Sequence, residues 1–191
     1  VLAASTIRGM GTNCIGFYKP LFFSNVYPNF VDEFSIGNAA IYIVFASSGA
    51  LAGGYLSDKY EDKQPLTKSW ICAGSTAITL PFMVLCLTQQ DSFWFSFAMI
   101  VAITLCLKAD ITKFNYALEY DSVKNQGFAV SVYTFGLAFG AIISTSILGT
   151  VQEYVGASSE HPEAYGYTLA GACVIAYLGS IPLFLQAGKN Y

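Results

Sequence analysis

Charge is scarce in this chain. Of its 191 residues only 11 % are Asp, Glu, Lys or Arg, and there is one histidine, whereas roughly a quarter of a soluble domain is charged. The net charge is −3 with no basic cluster, which excludes nucleic acid as a partner, because its recognition needs grouped Lys and Arg on phosphates. Cys14, Cys72, Cys86, Cys106 and Cys173 form no CxxC pair and lie inside apolar runs. They read as small buried hydrophobes, and neither a metal nor another cofactor is implied. The spacings GxSxG, HExxH and the Walker loop are missing, and His161, between Glu160 and Glu163, reads as part of a solvated loop. No enzymatic chemistry is expected. The chain opens on Val1 with an apolar run that carries Arg8 in place of a basic tip and cleavage site, so it is not a signal peptide. A segment upstream, removed or belonging to a longer protein, is expected.

What the chain has is apolar length, with 54 % hydrophobic and 16 % aromatic residues. A transmembrane helix needs about 20 mostly apolar residues, and six stretches approach that: 2–23, 36–56, 70–87, 92–111, 127–151 and 165–186. The fold class expected is therefore all-α, a polytopic membrane protein of six transmembrane helices in contact with membrane lipids. A strand barrel is excluded by period, since runs such as WICAGSTAITLPFMVLCL are apolar on every side and do not alternate. The second and fifth stretches are crowded with Gly, Ala and Ser, including a GxxxG step at Gly136 and Gly140. Small residues allow close backbone approach in lipid, so both are expected in helix interfaces.

Basic residues set the orientation. Loops 24–35, 88–91 and 152–164 hold none, whereas loops 57–69 and 112–126 and the C-terminal tail hold Lys59, Lys63, Lys68, Lys113, Lys124 and Lys189. By the positive-inside rule both termini are expected in the cytoplasm or on the equivalent side of an organelle membrane.

Arg8, Lys19 and Lys108 fall within or at the ends of spans. A cation at membrane depth is costly and usually faces a cavity or a partner. Arg8 heads a stripe with Gly11, Thr12 and Ile15, and Lys19, eleven residues on, returns to nearly the same face. Arg8 is expected to face a cavity, touching an anionic substrate group or a gate partner. Lys19, followed by Pro20 and a kink or helix end, is expected near the outer boundary, snorkelling or joining Arg8 in the cavity. Asn13 adds a hydrogen-bonding group. Lys108, Thr112, Asn115 and Glu119 recur at helical spacing and either line a pathway or mark the emergence of the helix into water. The substrate-binding candidates are Arg8, Thr12, Asn13, Lys19, Lys108 and Asn115.

The stretch GYLSDKYEDK, residues 54–63, resembles the loop between the second and third helices of each half of a major facilitator superfamily transporter. Gly54, Leu56, Ser57, Asp58, Lys59 and Lys63 fit that pattern, whereas Glu61 and Asp62 depart from it. The second copy of this loop is the more degenerate one in the superfamily, so the resemblance is to the C-terminal half. The runs IRGMGTNCIGFYKPLFFSNVYP and FASSGALAGGYLSDKYEDKQPLTKSW look like the seventh and eighth helices of spinster-like members, which are associated with lysolipids. The resemblance implies a six-helix half built from two inverted three-helix repeats, residues 1–87 and 92–189, paired with an N-terminal six-helix half outside this chain. It implies transport of a small organic anion or an amphiphile such as a lysolipid or organic phosphate by alternating access. Gly54, Asp58, Lys59 and Lys63 would then form a gating latch, with Asp58 accepting backbone donors and a lysine pairing with a carboxylate across the gate. The rival expectation is a non-transporting subunit in a larger membrane complex.

Overall fold

The computed structural model describes residues 2–61, 67–108, 126–157 and 161–189, which are helical apart from short turns and contain no strand. Helix α1 spans Leu2–Val26 and ends in a tight turn at Tyr27. The second rod begins with a 3₁₀ turn at Pro28–Phe30, where proline costs little because its missing N–H is unpaired at a helix start anyway. It continues as α2 (Val31–Ile41), a π-helical stretch (Tyr42–Ala46) and α3 (Ser47–Glu61). Then come α4 (Thr67–Thr88), α5 (Phe93–Lys108), α6 (Gln126–Val155) and α7 (Pro162–Lys189).

Helix α7 packs along both α1 and α4, α6 lies on α1, and α5 lies on α4 and on the second rod. The α4–α7 seam is antiparallel and fastened at both ends. At one end Gly166 sits so close to the Leu87 carbonyl that a Cβ would overlap it, and at the other Ser69 Oγ donates to Phe184 O. Eighteen residues separate the two fastenings on each helix, about 27 Å at 1.5 Å per residue, close to the hydrocarbon thickness of about 30 Å.

Three turns gather at the Gly166 end. Phe23 stacks on Phe34 and Phe30 on Phe93, with ring centroids 4.4 and 4.6 Å apart. Tyr27 OH lies 3.0 Å from Ser96 Oγ, which donates to Gln89 O at 3.0 Å. Helix α6 stops beside them in a Schellman motif: Gly156, with φ of +75°, and Ala157 donate to Glu153 O and Gln152 O at 3.1 and 2.8 Å.

Among the described residues four helices are long and apolar enough to cross a membrane: Pro28–Tyr55, Ser69–Thr88, Ser131–Val155 and Glu163–Gln186. Phe93–Leu107 is apolar but shorter. Helix α1 has the length, 25 residues, but Arg8, Lys19 and several hydroxyl and amide side chains dilute its apolar surface. The cysteines are free, Cys106 half-buried and the other four buried, in keeping with their reading as small hydrophobes.

Several expectations change. The connection expected at 24–35 is a turn at Tyr27 followed by continuous helix, because Pro28 opens the next rod at once. Pro20 does not end α1, which runs six residues further; it withholds the N–H that would bond the Gly16 carbonyl, a loss that membrane helices tolerate where neighbouring groups satisfy the freed carbonyl. The segment 54–63 is helix as far as Glu61, and Lys63 lies outside the described residues. The small-residue spans are the least covered of the four: over an 18-residue apolar stretch of each, 17 % and 11 % of the residues are buried, against 39 % and 33 % for the other two. Three of their glycines meet the expectation of close approach: a Cβ on Gly37 would overlap the Phe97 ring, one on Gly149 would lie 2.8 Å from the Tyr18 hydroxyl, and one on Gly140 would lie 3.0 Å from Thr6 Cγ2.

The seam generates a paired prediction. Gly166→Ala drives a methyl into a backbone carbonyl and is expected to destabilise by about 1–3 kcal/mol. Gly171→Ala, on the same helix with open space around it, is expected to be neutral or to gain up to about 1 kcal/mol of helix propensity. Unfolding of the two variants in lipid nanodiscs checks the contrast; equal midpoints would contradict the close seam.

Candidate functional site

Helix α1 carries most of the candidate residues, and its faces separate them. Residues 8, 12, 15 and 19 recur every three or four positions and share one face. That face is buried at Arg8 and Lys19 and exposed at Thr12 between them. Arg8 is completely buried, its guanidinium carbon 5.8 Å from the centroid of the Tyr177 ring on α7. Such a contact contributes up to about 2 kcal/mol when desolvated. Tyr177 OH lies 3.2 Å from Thr12 Oγ1, which donates to Arg8 O at 3.2 Å. Arg8 and Thr12 therefore form a three-residue cluster with Tyr177 that joins α1 to α7.

Lys19 is 7 % exposed and does not snorkel. Its Nζ donates to Asn38 Oδ1 at 2.7 Å and lies 5.1 Å from the centroid of the Tyr42 ring. Both partners come from the second rod, one helical turn apart, and Tyr42 is the first residue of the π-helical stretch. π-Helical turns are rare and recur at functional positions.

The open face of α1 is different. Asn13 is half-buried, and Gly16, Phe17, Pro20 and Leu21 are exposed, Phe17 by 68 %. Of the six substrate-binding candidates, Thr12, which is exposed, and Asn13 reach this open, largely neutral face. Arg8 and Lys19 lie along the inner face, Lys108 closes α5 well away from them in sequence, and Asn115 lies outside the described residues.

A groove of about 470 Å³ runs between α1, α6 and α7. Ile7, Met10, Ile147, Leu148 and Ile175 give it an apolar lining, with Ser144 and Thr168 at its wall. Its size falls in the range of about 300–1,000 Å³ usual for small-molecule sites. Gln152, nearly buried, caps the same region, its Nε2 3.5 Å from Thr168 Oγ1.

The gating candidates Gly54, Asp58 and Lys59 occupy the last turns of α3. Gly54 has open space where a side chain would stand, and Lys59 Nζ lies 5.6 Å from the Tyr55 ring centroid.

Asn38, Tyr42 and Tyr177 were not among the residues singled out by sequence. The first two had a signal: residues equidistant from the Tyr27–Phe30 turn face each other, so Phe23 meets Phe34 and Lys19 meets Asn38. Placing that turn correctly yields the pair.

The fold and these sites define an all-helical bundle whose long helices fit a membrane. No family model, curated protein or solved structure matches the chain.

The Tyr177 cluster separates packing from hydrogen bonding. Tyr177→Phe keeps the ring over Arg8 and removes one interhelical bond, an expected loss of about 0.6 kcal/mol and at most 1.7. Tyr177→Ala empties a wholly buried site and is expected to cost about 3–5 kcal/mol. Equilibrium unfolding of both variants in bicelles checks the ratio.

Proposed function

We propose that the chain is one six-helix half of a twelve-helix secondary transporter of the major facilitator type, the C-terminal half, working by alternating access. The observation that carries this reading is the symmetry of the packing. Divide the chain into a first triplet (α1, the second rod, α4) and a second triplet (α5, α6, α7). In each triplet the first helix packs against the second and third helices of the other triplet: α1 against α6 and α7, α5 against the second rod and α4. The two third helices, α4 and α7, pack against each other. Exchanging the triplets leaves this pattern unchanged, as expected of two repeats related by a two-fold axis in the membrane plane. The two first helices, α1 and α5, also stand apart together, neither being among the four long apolar spans.

Exposure supports the missing half. The second rod and α6 leave open the stripes Ser48, Ala52, Tyr55 and Ser131, Phe135, Ala138, Ile142. Small residues on an outward face suit another helix better than lipid, because they admit close backbone approach. A second six-helix bundle against these faces would enclose the open face of α1. Among the described residues Lys59, Lys68, Lys108 and Lys189 lie at helix ends opposite the Tyr27, Gln89 and Gly156 turns, which fits both termini on the cytoplasmic side.

The cargo we assign is the amphiphile of the two classes considered. The open face of α1 presents Thr12 and Asn13 beside Phe17 and Leu21, while Arg8 and Lys19 are buried within the bundle. The apolar groove beside α1 suits a lipid tail. The helical end of α3, with Asp58 and Lys59, takes the part of the gating latch as a rigid helix terminus.

Alternating access has a signature that needs no knowledge of the cargo. In a cysteine-free background, Asn13→Cys is expected to react with a membrane-impermeant thiol reagent from either side of the membrane, each side favoured in a different state. Reactivity from one side only, under all conditions, would favour a static subunit of a larger complex.

A further inference from the structure

The groove between α1, α6 and α7, about 470 Å³, has a floor, two lips and a direction. Helices α6 and α7 both lie on α1 but touch each other far less, so they part above it. Buried Gly11 and Cys14 of α1 form the floor. Ile147 of α6 and Ile175 of α7 form the lips, 58 % and 76 % exposed. Gly171 of α7 adds width, with open space where a side chain would stand.

The direction follows the bilayer normal. Along α7 the lining runs from Thr168, beside the Gly166 fastening, to Ala176, near the middle of the α4–α7 seam. That run rises about 12 Å, close to the hydrocarbon depth of a single leaflet, half of about 30 Å. Polarity grades the same way. Gln152 and Thr168 stand at the end where α6 turns at Gly156. The lining below them is apolar except for Ser144, whose hydroxyl donates to Met10 O and Ala141 O at 3.3 and 3.1 Å.

Helix α6 fixes what the groove meets. At about 3.6 residues per turn, Ser144, Ile147, Leu148 and Val151 point nearly opposite to Ser131, Phe135, Ala138 and Ile142, the stripe open to a helix partner. A partner on that stripe leaves the groove facing the bilayer, whether it is the other half of a transporter or a different protein. The tail that the groove suits therefore reaches it from the surrounding leaflet.

We propose that the groove is a binding site for an acyl chain of a phospholipid from the leaflet at the Gly156 end. The chain lies lengthwise on α1 between α6 and α7, with the lipid's ester groups at the level of Gln152 and Thr168. Transfer from lipid to a protein groove brings no hydrophobic gain, so the chain is held by the dispersion contacts of a trough that runs along it. It closes the parting of α6 from α7 and ties α6, the least covered span, to the bundle. The site does not rest on the transport reading, since a static subunit would hold the same lipid.

Native mass spectrometry of the natural protein, released from phosphatidylcholine nanodiscs into mild detergent, tests this. The unaltered protein is expected to retain a phosphatidylcholine molecule. Gly171→Phe, which fills the groove, is expected to cut that occupancy about tenfold. Gly16→Phe, equally free of neighbours but on the open face of α1, is expected to leave it unchanged. Should Gly171→Phe fail to fold, a density map of the unaltered protein in the same nanodiscs decides, through a chain-shaped feature on Cys14 between Ile147 and Ile175. No retained lipid, or an occupancy that Gly171→Phe leaves intact, overturns the proposal. So does a protein helix in the groove, or loss of the lipid with Gly16→Phe instead, which would place it on the open face.

Discussion

The antiparallel seam between α4 and α7 is the constraint on which the rest of the structure depends. It requires two helices to stay in contact for about 27 Å, and it does so with a glycine laid on a carbonyl at one end and a serine hydroxyl on a carbonyl at the other. In lipid the apolar side chains gain little by meeting each other, so close packing and interhelical hydrogen bonds must hold helices together. Once α4 and α7 are joined, α1 is fixed in the groove beside α7 and α5 beside α4. The second rod and α6 follow as outer elements.

This arrangement explains where polarity is stored. The inner helix α1 holds Arg8 and Lys19 because other helices surround it: Tyr177 shelters one cation, and Asn38 with Tyr42 the other. Neither would be tolerated on the second rod or α6, which have too little cover. The polar turn end, built from Tyr27, Ser96, Gln89 and Gln152, closes the bundle with hydrogen bonds that satisfy carbonyls where the helices stop.

Much of the fold was legible because apolar length is read directly: among the described residues each of the six expected stretches falls on helix, with the second starting eight residues earlier than expected and the others ending within a few residues of the expected bounds. The connections were less legible. Pro28 was hidden inside what looked like an external loop, yet it starts a helix, so the second rod begins eight residues, about two turns, before the expected stretch. Charges in GYLSDKYEDK suggested a loop although nothing in Tyr55–Glu61 forbids helix. The site was legible in part. Helical spacing put Arg8, Thr12 and Lys19 on one face, but spacing cannot say which way that face turns, because direction is decided by Tyr177 on a helix more than 160 residues away. Small residues in the second and fifth spans spoke for a helix partner without saying in which chain.

The central claim is that the bare faces of the second rod and α6 receive a second helical bundle. A density map of the natural protein in a lipid nanodisc tests this most directly. The account predicts six further helices packed against Ala52 and Ala138, with the open face of α1 looking into a cavity between the two bundles. Lipid on both faces, or an unrelated protein seated over Asn13 and Phe17, would contradict it.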